Sequence, residues 1–99
     1  MPENNPDIPD QAIAEARQRY EQAQGRDRFP LGLALSQALT DRGSHAQALA
    51  VLTALQPLAA SDFEKAQILQ KQGWIHLRQS QYDKAYYFLG EAMVKLGTH

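Results

Sequence analysis

The stretch that decides the fold of this chain is SDFEKAQILQKQGWIHLRQSQYDKAYYFLGEAMVKL, residues 61–96. Ser61 and Glu64 form a capping-box pair just before a pattern of apolar residues with helical period. The pattern predicts one helix over about 61–79 and a second over about 81–96.

Three more helices are predicted upstream of this pair, over about 10–24, 30–43 and 44–55. Glycines at Gly25, Gly43 and Gly97 stand where helix C-caps are expected. Residues 1–9, rich in proline and polar residues, are predicted to be a disordered lead-in. Ala, Gln and Leu dominate the body of the chain and no segment alternates with period two, so the predicted class is all-α with about five helices.

An internal repeat relates the last two predicted helices to the two before them. Residues of matching type recur at a constant offset of 37: Ser36 and Gly73, Gly43 and Ser80, Ala48 and Ala85, Leu52 and Leu89. The small members of these pairs let two helices approach closely, while leucines fill the space between them. Each helix pair then buries its second side by stacking on a neighbouring pair.

Two copies of one pattern carry a family resemblance. They are Leu35-Ser36-x2-Leu39 followed by Ala48-x3-Leu52, and Leu69-x2-Gln72-Gly73-x2-His76 followed by Ala85-x3-Leu89. This pattern resembles the tetratricopeptide repeat family. The resemblance implies antiparallel helix pairs stacked as a short right-handed solenoid in a single domain over 10–97. It contains a half repeat at 10–25 and full repeats at 29–57 and 62–96.

The chain departs from the family pattern in two ways. The family period is ~34 residues, so the longer offset predicts about one extra turn, near residues 56–60. Gln72 and His76 stand where the family usually has apolar or aromatic residues. The alternative fold is an unrelated five-helix bundle.

A peptide-binding groove is the first predicted site. In the resembled family the first helix of each pair lines a concave surface that holds an extended or helical peptide. The residues this implies here are Leu33, Gln37, Asp41, Gln70, Trp74 and Arg78. Because Gln37 and Gln70 are neutral and Leu33 is apolar, a peptide of mixed apolar and amide character is expected rather than an acidic tail. Alternatively, Trp74 leans onto the neighbouring helix and completes the core.

The last helix carries a second predicted surface. Its predicted inward stripe is Tyr82, Ala85, Leu89, Ala92 and Leu96. Further apolar area is predicted to face outward, at Tyr86, Tyr87, Gly90, Met93 and Val94. Glycine inside a helix costs about 1 kcal/mol relative to alanine, which close approach of another backbone would offset. We expect this surface to dock on a partner or on a second copy; the alternative is that the tyrosines lie at the surface without a partner.

Composition and charge argue against several classes of function. The formal net charge is −1 with no basic stripe, so no nucleic-acid partner is expected. No apolar run is long enough for a membrane span and no secretory signal is recognisable, so a cytoplasmic location is expected by elimination. There is no cysteine, the three histidines lack metal-ligand spacing, and no nucleophile-and-base motif occurs. No catalytic residue, metal or cofactor is therefore predicted.

The expected function is a protein–protein interaction module. Small members of the resembled family often serve as adaptors, chaperones or assembly partners for one protein. The alternative is a self-associating scaffold, such as a homodimer, that oligomerises through the C-terminal helix. An enzyme or a metal-binding bundle is the third alternative.

Overall fold

A computed structural model describes the backbone of residues 7–97 and the side chains of residues 11–97. Within these residues the only regular elements are helices, joined by short turns, and there is no strand. Its five α-helices are α1 (Asp7–Gln22), α2 (Arg28–Arg42), α3 (His45–Leu55), α4 (Asp62–Arg78) and α5 (Tyr82–Lys95). Single 3-10 turns lie at Gly25–Asp27 and Gln56–Leu58. The predicted all-α class with five helices is confirmed, and the second 3-10 turn lies where the repeat offset predicted an extra turn.

Helix α1 begins at Asp7, earlier than the predicted start near Asp10. Proline is tolerated in a first turn, where its missing N–H has no partner to lose, so Pro9 does not stop the helix. The rest of the predicted lead-in, residues 1–6, lies outside the residues that the structure describes.

The chain divides into two compact units, Met1–Val51 and Leu52–His99. In the first unit, α1 packs against α2. The Arg28 guanidinium lies 4.4 Å from the centre of the Tyr20 ring, a cation–π contact between these two helices. The buried side chains of α2 follow helical spacing and include Phe29, Leu35 and Leu39.

A glycine closes α2 as predicted. Gly43 has φ 90°, in the left-handed region that glycine adopts without steric cost. Its N–H donates to the Thr40 carbonyl at 2.9 Å, and the Ser44 N–H donates to the Leu39 carbonyl at 2.8 Å. This pair of bonds is the Schellman motif, which satisfies carbonyls that the helix end would otherwise leave without donors.

In the second unit, α4 packs against α5 through a close contact at Gly73. A Cβ at Gly73 would lie 2.7 Å from Leu89 Cγ and 3.3 Å from the Ala85 carbonyl oxygen. The predicted role of Gly73 and Ala85 as small residues at a close helix approach is therefore confirmed for this pair of helices.

The N-terminus of α4 is capped by the predicted residues. Ser61 Oγ accepts a hydrogen bond from the Glu64 N–H at 3.1 Å. The Glu64 carboxylate in turn accepts from the Ala60 N–H at 2.8 Å, one residue before the N-cap. The exchange differs from a standard capping box, in which the carboxylate bonds the N-cap N–H itself.

The C-terminus of α4 repeats the cap of α2 without a glycine. Ser80 has φ 60°, and it is the only residue other than glycine with positive φ among those described. The Ser80 N–H donates to the Leu77 carbonyl at 3.0 Å, and the Gln81 N–H donates to the His76 carbonyl at 2.8 Å. These are the bonds made at Gly43, shifted by 37 residues, so the sequence repeat corresponds to a repeated cap.

We expect Ser80→Gly to raise the free energy of unfolding by about 0.5–1 kcal/mol. A left-handed backbone costs a side-chain-bearing residue roughly 1–2 kcal/mol, and the larger conformational entropy of glycine in the unfolded chain cancels part of that gain. Urea denaturation of the two proteins measures the difference.

The matched control is Gly43→Ser, since a Cβ at Gly43 would meet no atom within 4 Å. It should lower stability by a similar amount, through backbone strain alone. A loss of stability in Ser80→Gly would mean that the serine does more at this turn than close the helix.

Two predictions for α5 are wrong. Tyr82 and Leu96 were expected on its inward stripe, but they are 53% and 52% exposed. Only the middle of the stripe is covered, with Ala85 and Ala92 buried and Leu89 half-buried. The helical period predicts only the direction in which a side chain points. It does not predict how far along the helix the neighbouring helix reaches, so residues at the two ends can point inward and still be exposed.

Candidate functional site

One face of α4 is exposed at four of its five positions, all except the half-buried Gln67, and carries two aromatic rings. Counting from its first member, its residues follow the spacing i, i+4, i+7, i+11 and i+15, which keeps them on one side of a helix. They are Phe63, Gln67, Gln70, Trp74 and Arg78, here called the α4 stripe. Phe63 is 62% exposed and Trp74 is 51% exposed.

The opposite side of α4 fixes the direction of this stripe. Ile68, Gly73 and Ile75 are enclosed, and Gly73 is pressed against Leu89 of α5. With these residues held inside, the helix cannot rotate to bury the indole of Trp74. The ring is therefore presented to solvent and is not part of the core.

Phe63 was missed by the sequence reasoning. It is the second residue of α4, two positions after the Ser61 N-cap. At the start of a helix the spacing of apolar residues is hard to distinguish from that of the preceding turn. Its spacing of 11 residues from Trp74, which is three helical turns, was the signal that would have placed both rings on one face.

The predicted groove residues of α2 have a different character. Gln37 and Asp41 are exposed, and Leu33 is half-buried. The Gln37 side-chain amide donates to the Asp41 carboxylate at 2.9 Å. These three residues lie in the first unit, and Gln70, Trp74 and Arg78 lie in the second. The two polar members of the α2 group are thus bonded to each other, and its apolar member, Leu33, is partly covered.

The predicted surface of α5 is exposed at every position. Tyr86 is 71% exposed, Tyr87 63%, Val94 61% and Met93 53%, and Gly90 lies among them. A Cβ at Gly90 would meet no other atom within 4 Å. These five residues, here called the α5 face, form an apolar surface with a gap at its centre.

A row of rings links this face to the buried side of α4. The His76 ring stacks on Phe88 with centroids 5.1 Å apart, and Phe88 meets the Tyr87 ring edge-on at 5.3 Å. His76 Nδ1 lies 2.6 Å from Gln81 Oε1, within hydrogen-bond distance.

Two polar side chains of the repeated pattern, Gln72 and His76, are buried. His76 is 8% exposed and bonds to Gln81. Gln72 is 4% exposed, and its Oε1 atom has no hydrogen-bond partner. An unsatisfied buried amide oxygen costs stability, because it has lost its water and gained nothing in return.

Large apolar residues that are exposed all belong to the second unit, within the part of the chain that has described side chains; they lie between Phe63 and Leu96. Over the same part, no three His, Asp or Glu side chains come together as metal ligands would. None of the helices there combines the length and apolar character of a membrane span.

No family model, curated protein or solved structure matches the chain.

Proposed function

We propose that the chain is a protein–protein interaction module of the tetratricopeptide type, an adaptor or a dedicated chaperone-like assembly partner in the cytoplasm. In this proposal its antiparallel helix pairs stack as a right-handed solenoid, and α2 and α4 are the first helices of their pairs. One observation carries the proposal: Trp74 and Phe63, both more than half exposed, share a single face of α4. Exposed aromatic residues of this kind are typical anchors of binding sites.

The repeated helix cap supports the tetratricopeptide arrangement. Gly43 and Ser80 close α2 and α4 with the same two backbone bonds at equivalent positions. Because the two caps have the same hydrogen bonds and a positive φ at the same position, the backbone leaves α2 and α4 with the same local conformation. Recurrence of the same helix cap at the offset of the sequence repeat is what a repeat fold predicts.

The α4 stripe favours a peptide with apolar side chains and accessible backbone groups. The amides of Gln67 and Gln70 lie between the two rings, and an amide both donates to and accepts from a peptide backbone. Phe63 and Trp74 are about 16 Å apart along the helix axis, the length of roughly five residues of extended peptide. Arg78 adds a positive charge beyond Trp74.

A capture experiment with matched variants tests the proposal. We expect wild type and Tyr82→Ala to recover the same partner from host lysate, and we expect Trp74→Ala and Phe63→Ala to lose it. Tyr82 is a suitable control because it is exposed to the same extent as Trp74 but lies outside the α4 stripe. Equal recovery by all four proteins would rule out the stripe as the binding surface.

Intrinsic fluorescence gives a direct readout, because Trp74 is the only tryptophan in the chain. Titration with the recovered partner should shift the emission to shorter wavelength and protect the indole from acrylamide, since binding removes water from the ring. Emission and quenching that stay unchanged at saturation would place the partner elsewhere.

A further inference from the structure

The α5 face has a symmetric layout around Gly90. Tyr86 and Met93, seven residues apart, form a row along one side of the glycine, and Tyr87 and Val94 form a row along the other. Each row begins with an aromatic ring and ends with an aliphatic side chain. All four side chains are more than half exposed, and the gap at Gly90 is open.

From this layout we propose that the α5 face is a homodimer interface, in which α5 of a second copy lies antiparallel with the two Gly90 residues at the crossing point. An antiparallel copy places each row against its own counterpart. Tyr86 then packs on Met93 of the other copy, and Tyr87 packs on Val94. The same patch serves both copies, as two-fold symmetry requires.

The missing side chain at Gly90 fits this arrangement. Within one chain no other segment packs closely on Gly90, because no atom lies within 4 Å of the position that a Cβ would take. A glycine at a helix crossing lets two backbones come together, as small residues do where helices associate closely. In the dimer, the backbone of the second copy packs against Gly90, and this contact accounts for a glycine in the middle of α5.

The α5 face supplies much of the area that a stable dimer needs. At 150–250 Å² for each aromatic side chain, the exposed parts of Tyr86 and Tyr87 alone amount to roughly 270 Å². Met93 and Val94 add to this apolar surface. Each partner contributes about 800 Å² to a standard interface, so the face and its rim provide a large share of what is needed.

The charges favour the antiparallel direction. Asp83 is the charged residue nearest the centre line of the face, and it lies in the first turn of α5, whereas Lys95 lies in the last. An antiparallel copy brings Asp83 to the end of the helix that carries the other copy's Lys95, and it opposes the two helix dipoles. A parallel copy would instead set the two Asp83 carboxylates side by side in the interface.

Sedimentation equilibrium of four samples tests the proposal: wild type, Tyr86→Lys, Met93→Glu, and an equimolar mixture of the two variants. Wild type should approach twice the monomer mass as its concentration rises. Each variant alone buries two unpaired charges per dimer, so its dimer should weaken at least a hundredfold. The mixture should recover dimer, because the introduced lysine of one chain then meets the introduced glutamate of the other while the remaining Tyr86–Met93 contact is intact.

Gly90→Ala separates association from folding. Alanine favours the helix and has room in the monomer, so the variant should fold at least as stably as wild type. The added methyl group keeps the crossing helices apart, and the dimer should weaken about tenfold or more.

Three results would each overturn the proposal. A wild type that stays monomeric at millimolar concentration excludes the homodimer. A wild-type dimer that Gly90→Ala leaves intact, or whose charged variants do not recombine in the mixture, excludes this crossing of α5. None of these results bears on capture of a peptide by the α4 stripe, which is measured through Trp74.

Discussion

Gly73→Ala is expected to lower the free energy of unfolding by up to about 2 kcal/mol, because inserting a methyl group between packed helices costs about 1–3 kcal/mol and the helix propensity of alanine offsets about 1 kcal/mol of that cost. The new Cβ would lie 2.7 and 2.8 Å from two carbons of Leu89, and the backbone oxygen of Ala85 closes the remaining side. Leu89 must move or the two helices must separate. Thermal or urea unfolding followed by circular dichroism measures the loss.

The same substitution at Gly90 is the matched control, in the neighbouring helix of the same unit. Alanine there should raise stability by about 1 kcal/mol, the gain expected from helix propensity alone, because the site is open. Both variants are best measured at low protein concentration, so that association does not contribute. Shifts of the same sign in the two variants would contradict the tight packing of α4 on α5.

Gln72→Leu is expected to raise the free energy of unfolding by about 1–3 kcal/mol. Gln72 is almost fully enclosed, and its Oε1 has no partner, so the folded state carries the cost of a dehydrated polar atom. A leucine of comparable size removes that cost and adds apolar burial. The midpoint of a urea titration, with unchanged steepness, reports the gain.

Gln70→Leu controls for the change of residue type. Gln70 lies on the same helix but is exposed, so its replacement should change stability by no more than about 0.5 kcal/mol. A destabilising Gln72→Leu beside a neutral Gln70→Leu would contradict this expectation. It would mean that the Gln72 amide makes a contact whose stabilisation exceeds the cost of its unsatisfied oxygen.

Helix number and most helix ends could be predicted from the sequence because local chemistry determines them. A glycine that accepts positive φ ends α2 at Gly43, and a hydroxyl that accepts a backbone hydrogen bond starts α4 at Ser61. These signals depend on neighbours along the chain only. The cap at Ser80 was indicated solely by its match with Gly43, since serine by itself rarely predicts a left-handed turn.

The exposure of individual side chains was harder to predict, because it depends on where a neighbouring helix lies. Tyr86 and Tyr87 were expected outside and are exposed, whereas Tyr82 was expected inside and is exposed as well. All three are tyrosines on one helix, so residue type could not separate them. For Trp74 the pattern left a core position and an exposed position open, and its 51% exposure follows from the burial of Ile68, Gly73 and Ile75 on the other side of α4.

The concentration of exposed apolar residues between Phe63 and Leu96 has a consequence for solubility. A formal net charge of −1 gives the molecules little mutual repulsion, so nothing electrostatic keeps these surfaces of neighbouring molecules apart. We expect the chain to precipitate readily near its isoelectric point unless the two surfaces are occupied. Co-expression with a partner that binds these surfaces should therefore give protein that stays soluble at higher concentration.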